Sequence, residues 1–519
     1  MSWLLANALR PLPGDDKPAI LAIGAHNVNA VSAVAHIRSS TVIYRQPLDS
    51  LAEYASLPST PPPAPHAAQT LLRGAVLSFR ADPFLQPRAD CLDYWADGAV
   101  LVEAGKVRAV GPARAVEAQA AATAARVDYP DCIISAGFVD THVHYPQTQM
   151  LASYGAQLLE WLERYTFVVE QQFADAAHAE RIAGIFLEEL LRNGTTSAAV
   201  YCTVHPQSVD AFFSASNRFN TLMLAGKVLM DRNAPPALLD TPQLAYEQSK
   251  ALIEKWHGHG RQQYCITPRF AGTSSPAQLA VAGALWREHP GTFLQTHLSE
   301  NLREVAWMRE LFPERSNYLD IYAQHGLVGP RSVYAHCVHV EEAELQCLHE
   351  RGAAIAHCPT SNLFLGSGLF KLFAAKNPAR PVRVGLGSDI GAGTSFSTLQ
   401  TLNEAYKVAQ LNGTPLDALQ AFYLATRGGA AALYLDDRIG SIEPGKDADL
   451  AILDPHATAL LKLRSEYAGS IDDQLFALMM LGDDRAVRAT YVAGNCVYDR
   501  DRPQPFLPPA FVAETGYQA

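Results

Sequence analysis

The chain has 519 residues, enough for two or three domains with ample cores. Apolar residues make up 48% and charged residues 18%, which excludes wholesale disorder. With 41 basic against 52 acidic residues the net charge is −11, and no long basic run is present, so nucleic acid is excluded as the main partner.

The start, Met1–Leu9, lacks a basic segment ahead of its short apolar part, and no run of about twenty apolar residues follows anywhere. Eight scattered cysteines, never in Cys-x-x-Cys, read as reduced thiols. Together these predict a soluble cytoplasmic protein with no membrane partner. Residues 1–68 differ from the rest and end in the Pro-rich tract Leu57–Pro65, a linker pattern; they are set aside as an extension without assigned role.

Residues 69–135 show short strands and turns, with a hairpin pattern in Ala99–Val102, Glu103-Ala104-Gly105 and Lys106–Val110. Residues 439–511 echo this: Gly440–Leu453 alternates turn residues with a strand, and Val487–Val492 and Cys496–Tyr498 flank Gly494-Asn495. Two β-rich pieces around a long middle predict one small β-sandwich domain built from both flanks.

The middle, 136–438, alternates apolar runs with amphipathic stretches such as Ala177–Arg192, Pro276–Arg287 and Glu341–Arg351. The runs end at His142/His144, Tyr201–Val204, Leu229-Met230, Pro268-Arg269-Phe270, His297, His336, His357 and Asp389. Eight β-then-α units predict an α/β fold, a (β/α)8 TIM barrel, with polar residues gathered at the strand ends where such barrels place their active sites.

The first run, Ile133–Val139, leads into Asp140-Thr141-His142-Val143-His144. Side chains two apart on a strand share a face, so His142 and His144 offer two imidazoles to one point. A bare His-x-His says little, and His257-Gly258-His259 reads as a polar loop. Context decides, because His297, His336 and Asp389 also end runs. Four imidazoles and a carboxylate at one barrel mouth suit one zinc ion, with iron or manganese as alternatives. His339 lies three residues past His336, so only one of the two faces inward on an extended segment. His336 is closer to the apolar run and is the expected ligand, while His357 has a supporting position.

These motifs, Gly137–His144, Thr296–Glu300, Ala335-His336 and Gly387-Ser388-Asp389, resemble those of the amidohydrolase superfamily. The resemblance implies the metal-dependent, mononuclear cyclic-amidine deaminase branch. Binuclear relatives carry a bridging modified lysine after strand four, and run four here ends Thr267-Pro268-Arg269-Phe270 without one. The chain is most similar to the guanine deaminases, over roughly residues 70–505. The similarity rests on His144–Thr148, Leu159–Phe167, Thr267–Phe270, His297–Asn301, His357–Leu363 and Asp389–Phe396. Thr360, where the family has Asn, and the first 68 residues are departures. A homodimer is implied by the resemblance alone.

On this reading water activated by the metal attacks C2 of guanine, Asp389 takes its proton, and Glu300 carries protons to N3 and the leaving ammonia, giving xanthine. The alternative for Glu300 is a solvated carboxylate at a helix start. Arg269 matches the O6/N7 acceptors of guanine and meets a donor at N6 of adenine, while Gln147 offers both a donor and an acceptor to the purine edge. Phe270 is placed to pack on a flat ring, and Trp161 to cover the pocket. The bland readings are that Arg269 pairs with a carboxylate and that Phe270 and Trp161 are core. Rival functions are a hydrolase of amino- or chloro-substituted triazines or pterins, and a non-catalytic barrel scaffold.

Overall fold

The computed structural model describes residues 69–155 and 157–502; the extension 1–68 and residues 503–511 of the expected β domain lie outside them. The flanking segments form one seven-stranded sheet. Its strands are β1 (Gln69–Phe79), β2 (Leu92–Glu103), β3 (Lys106–Pro112), β4 (Ala125–Ala136) and, beyond the barrel, three that close the chain. The middle supplies β5 (Phe138–His144), β6 (Thr195–Tyr201), β7 (Leu222–Gly226), β8 (Val228–Leu229), β9 (Gln263–Pro268), β10 (Phe293–Leu298), β11 (Ser332–His336), β12 (Ala354–His357) and β13 (Arg383–Leu386). Strands β14 (Leu450–Leu453), β15 (Val487–Val492) and β16 (Asn495–Asp499) return to the first sheet.

In that sheet the order is β16-β15-β14-β4-β1-β2-β3, with β1 and β4 parallel and every other pair antiparallel. Both expected hairpins form, as β2/β3 and β15/β16. Leu72, Val100, Ile134, Leu450 and Tyr491 pack in one apolar cluster, so strands from both ends of the chain share a core.

The second sheet is parallel throughout, running β5 to β13 with β7 and β8 sharing one position. It is the eight-stranded barrel, and each of the eight runs corresponds to one strand position. Strand β5 is buried at all seven residues, as expected where helices cover the outside and side chains fill the inside. The ring closes between first and last strands: Asp389 N donates to His142 O (3.0 Å) and Thr141 Oγ1 to Leu386 O (2.9 Å).

Amphipathic helices follow the strands. Helix α1 (Ala176–Arg192) begins where Asp175 accepts from Ala177 N, and its buried stripe includes Ile182, Phe186 and Leu190. Helix α2 (Pro206–Phe219) starts with proline in its first turn and stops at Asn220, whose φ of +55° is left-handed. The other two expected stretches are helices over Pro276–Glu288 and Glu342–Arg351. Barrel and β sheet are tied by Arg261, which is buried and donates to Asp447 and to both oxygens of Asp449. No helix among the described residues is long and apolar enough to cross a membrane.

Candidate active site

His142 and His144 stand two apart at the end of β5, and their rings meet edge-on at 5.0 Å. His297 comes from β10 and His336 from the end of β11; Asp389 follows β13. The five converge. His144 Nε2 lies 3.2 Å from His297 Nε2, and Asp389 Oδ1 is 3.3 Å from His142 Nε2 and 3.5 Å from His144 Nε2. His336 Nε2 is 3.9 Å from Asp389 Oδ2. Candidate ligand atoms of His142, His144 and His297 lie within 4.8 Å of one another, as do those of His142, His336, Asp389 and Cys358.

Strand ends alone do not aim these groups. The backbone is left-handed at His336 (φ +72°), Asp389 (φ +51°) and Ser299 (φ +49°), conformations that non-glycine residues keep only where their surroundings hold them. Asp140 does part of the holding: it accepts from His142 N and Ser388 N, bracketing the seam from below. Gly387 is needed at the same place, since a Cβ there would lie 2.9 Å from both His142 Cβ and Cys358 Sγ.

The donor set fits a metal. His142 Nε2 and His336 Nε2 are buried without a hydrogen-bond partner. The opposite nitrogens are engaged where it matters: His297 Nδ1 with Arg269 O (2.7 Å) and His336 Nδ1 with Asn362 Oδ1 (2.9 Å). An imidazole so oriented presents Nε2 to an ion. Burial, then the repulsion of His142, holds His144 and His297 well below the ordinary histidine value, which favours the neutral form that metal binding requires. Burial would raise Asp389, but His142 and His336 outweigh it and keep the carboxylate ionised. Cys358 is held protonated by burial, with Sγ directed to Ala356 O.

Glu300 sits beside this cluster, with Oε2 3.5 Å from His336 Nε2 and Oε1 accepting from Ser367 Oγ (3.2 Å). It directly precedes the cap of the next helix but is buried, so it is not a solvated carboxylate. The helix Leu302–Leu311 is capped by Asn301 with Glu304 reaching back, and Glu304 also accepts from Glu300 N. Burial pushes Glu300 up to about 7, against the pull of His336.

A pocket opens above the cluster, lined by His144, His297, His336, Asp389, Glu300, Gln147, Arg269, Phe270 and Trp161 among others. Arg269 lines it and pairs with a carboxylate as well: Nη1 donates to both oxygens of Glu170, at 2.9 and 2.8 Å. Gln147 Nε2 donates to the same Glu170 Oε1 (3.3 Å). Phe270 meets Trp307 at 5.9 Å, and Trp161 packs on Phe364 at 5.6 Å while facing the pocket. His339 stands apart, on Ser367 O (2.7 Å), and the His357 ring lies tilted against Phe370 at 4.8 Å.

Sequence reasoning missed four contributors. Glu170 holds Arg269 and Gln147, Asn362 orients His336, Ser367 holds Glu300, and Tyr201 lies within 5 Å, ring to ring, of His142, His144 and His297. Asn362 lies in the quoted stretch after His357; Glu170 carries no local signal at all.

The amidohydrolase family model matches residues 133–497. The chain is 53% identical to the guanine deaminase of Escherichia coli K12, covering 80% of this chain and 94% of that one. It is 41% identical to a probable guanine deaminase of Deinococcus radiodurans, covering 83% and 99%. The solved E. coli guanine deaminase superposes with a TM-score of 0.81 at 51% identity, covering 83% of this chain and all of that one. The chain belongs to the amidohydrolase family and, within it, to the guanine deaminases.

Proposed function

We propose that the protein hydrolyses guanine to xanthine and ammonia with one metal ion, zinc first among the candidates with iron or manganese behind it. His142, His144, His297, His336 and Asp389 would hold the ion. The observation that carries this reading is the meeting of that donor set with Glu300, Arg269 and Gln147 in one pocket of a guanine deaminase relative. The bound ion supplies Lewis acidity, making water nucleophilic near neutral pH.

The chain's own residues do the rest. Arg269 and Gln147 orient the purine edge, and Phe270 packs on its face. Asp389 takes a proton from the attacking water as the C2–O bond forms. Glu300 delivers its proton to N3, then takes the proton of the new C2 hydroxyl and passes it to the exocyclic nitrogen. The C2–N bond breaks as C2=O forms and ammonia leaves; the proton held by Asp389 then restores Glu300. Closure by Trp161 and Leu162 limits bulk water during these transfers.

Residues 136–438 would form the catalytic domain, with 69–135 and 439–511 as its β partner. The fuller proposal is a homodimer working in the cytoplasm. Ammonia release from guanine by the purified, metal-quantified protein tests the reaction, with adenine, cytosine and melamine in parallel. Turnover of melamine alone would favour the triazine reading and reject the assignment of Arg269 and Gln147. No turnover of any ring by metal-loaded protein would favour a scaffold.

A further inference from the structure

One carboxylate, that of Glu170, grips both side chains expected to read the substrate. It lies on the short helical segment Phe167–Glu170 and is 0% exposed. Its two oxygens take Arg269 Nη1, and Oε1 also takes Gln147 Nε2. A buried carboxylate is costly to keep unless its partners satisfy it, and here Arg269 and Gln147 do so. No other hydrogen bond of the Arg269 side chain forms among the described residues, and none is made by Gln147 Oε1.

The consequence is a defined polarity. With Nη1 committed, the remaining guanidinium N–H groups of Arg269 are donors available to the pocket. One N–H of Gln147 Nε2 is held by Glu170, which orients the amide and leaves Oε1 without a protein partner, as an acceptor for the pocket. A donor beside an acceptor complements the edge of a purine that carries a carbonyl at C6 next to a protonated N1. A purine lacking that carbonyl has an unprotonated N1 and mismatches both.

We propose that Glu170 is a specificity-determining positioning residue that sets the donor of Arg269 and the acceptor of Gln147 to select 6-oxopurines. This rests on the guanine reading above and deepens it. The same residue links recognition to the pocket wall, because Trp161, Leu162 and Thr166 lie just ahead of it in continuous helical turns.

The test compares wild type, Glu170→Gln and Glu170→Asp as full-length metal-loaded proteins, with metal content and Tm measured for each. KM and kcat are read for guanine. Inhibition constants are read for hypoxanthine, which keeps the C6 carbonyl and N1–H, and for purine, which lacks both. In Glu170→Gln the guanine KM and the hypoxanthine constant are expected to rise at least tenfold, while the purine constant moves less than threefold and the metal stays bound. Glu170→Asp, which keeps the charge at shorter reach, is expected to recover part of the loss, and it carries the same comparison should the Gln variant not fold. A hypoxanthine-to-purine ratio unchanged in whichever variant folds would overturn the inference. Failure of wild type on guanine would instead sink the reading beneath it, so the two are told apart.

Discussion

Asp389 and His142 are joined twice. Asp389 N donates to His142 O at 3.0 Å, and Asp389 Oδ1 approaches His142 Nε2 at 3.3 Å. The seam that closes the barrel is therefore also the floor of the candidate metal centre, and the geometry of the one depends on the other.

Metal removal is expected to abolish ammonia release from guanine, and one equivalent of zinc to restore it. Asp389→Asn and His297→Ala should retain far less metal than wild type, measured by elemental analysis of desalted protein. A chelator-treated enzyme, verified metal-free, that still turned guanine over would refute the metal reading.

Glu300→Gln should keep the metal, because its carboxylate approaches the proposed ligand His336 without being needed to orient it; Asn362 does that. Loss of proton transfer at one position costs about 10²–10⁴ in rate. The expected outcome is a fall of that order in kcat with stoichiometric metal. Loss of metal together with activity would reassign Glu300 to the ligand shell.

Arg261→Ala would leave Asp447 and Asp449 facing each other inside the contact between barrel and β sheet. Removing one partner of a buried ion pair costs about 3–5 kcal/mol. Lys106 and Arg438 still face Asp447, which favours the lower end. The midpoint of urea unfolding should drop clearly, and an unchanged midpoint would mean that Arg261 is dispensable for stability.

Glu188, on α1 and remote from the metal cluster in sequence, gives a pH signature of folding. Burial pushes it up to about 7, with Arg192 opposing and Glu189 adding. The folded form thus binds this proton more tightly than the unfolded chain, whose value is about 4.3. Its contribution to stability is complete below that value and is lost as pH rises through about 7. Glu188→Gln should therefore gain over wild type as pH goes from 4.5 to 8, read as the difference in urea midpoints. A constant difference over that range would contradict the shift.

The eight strand positions were legible because parallel barrel strands are buried on both faces and read as apolar runs, and His142, His144, His297, His336 and Asp389 stand at or just past their ends. The two hairpins were legible from turn residues between alternating segments. The order of the seven-stranded sheet was not, since pairing β1 with β4 and β4 with β14 depends on contacts far apart in the chain. Glu170 was hidden for a related reason. In sequence it is one acidic residue in a helical stretch, the pattern of a solvated surface, and only the approach of Arg269 from β9 and Gln147 from the β5 loop makes it a buried hub. Asn362 and Ser367 likewise act by reaching His336 and Glu300 across the mouth.

The seam has a consequence for assembly. Candidate ligands come from the first barrel strand and from the third residue past the last, so a chain still being synthesised cannot present the full donor set until β13 has docked against β5. Capture by the complete donor set is then a late event, conditional on ring closure, and earlier intermediates offer only partial sets such as His142, His144 and His297. Ion uptake during refolding thereby becomes a clock for the moment when the two ends of the barrel meet.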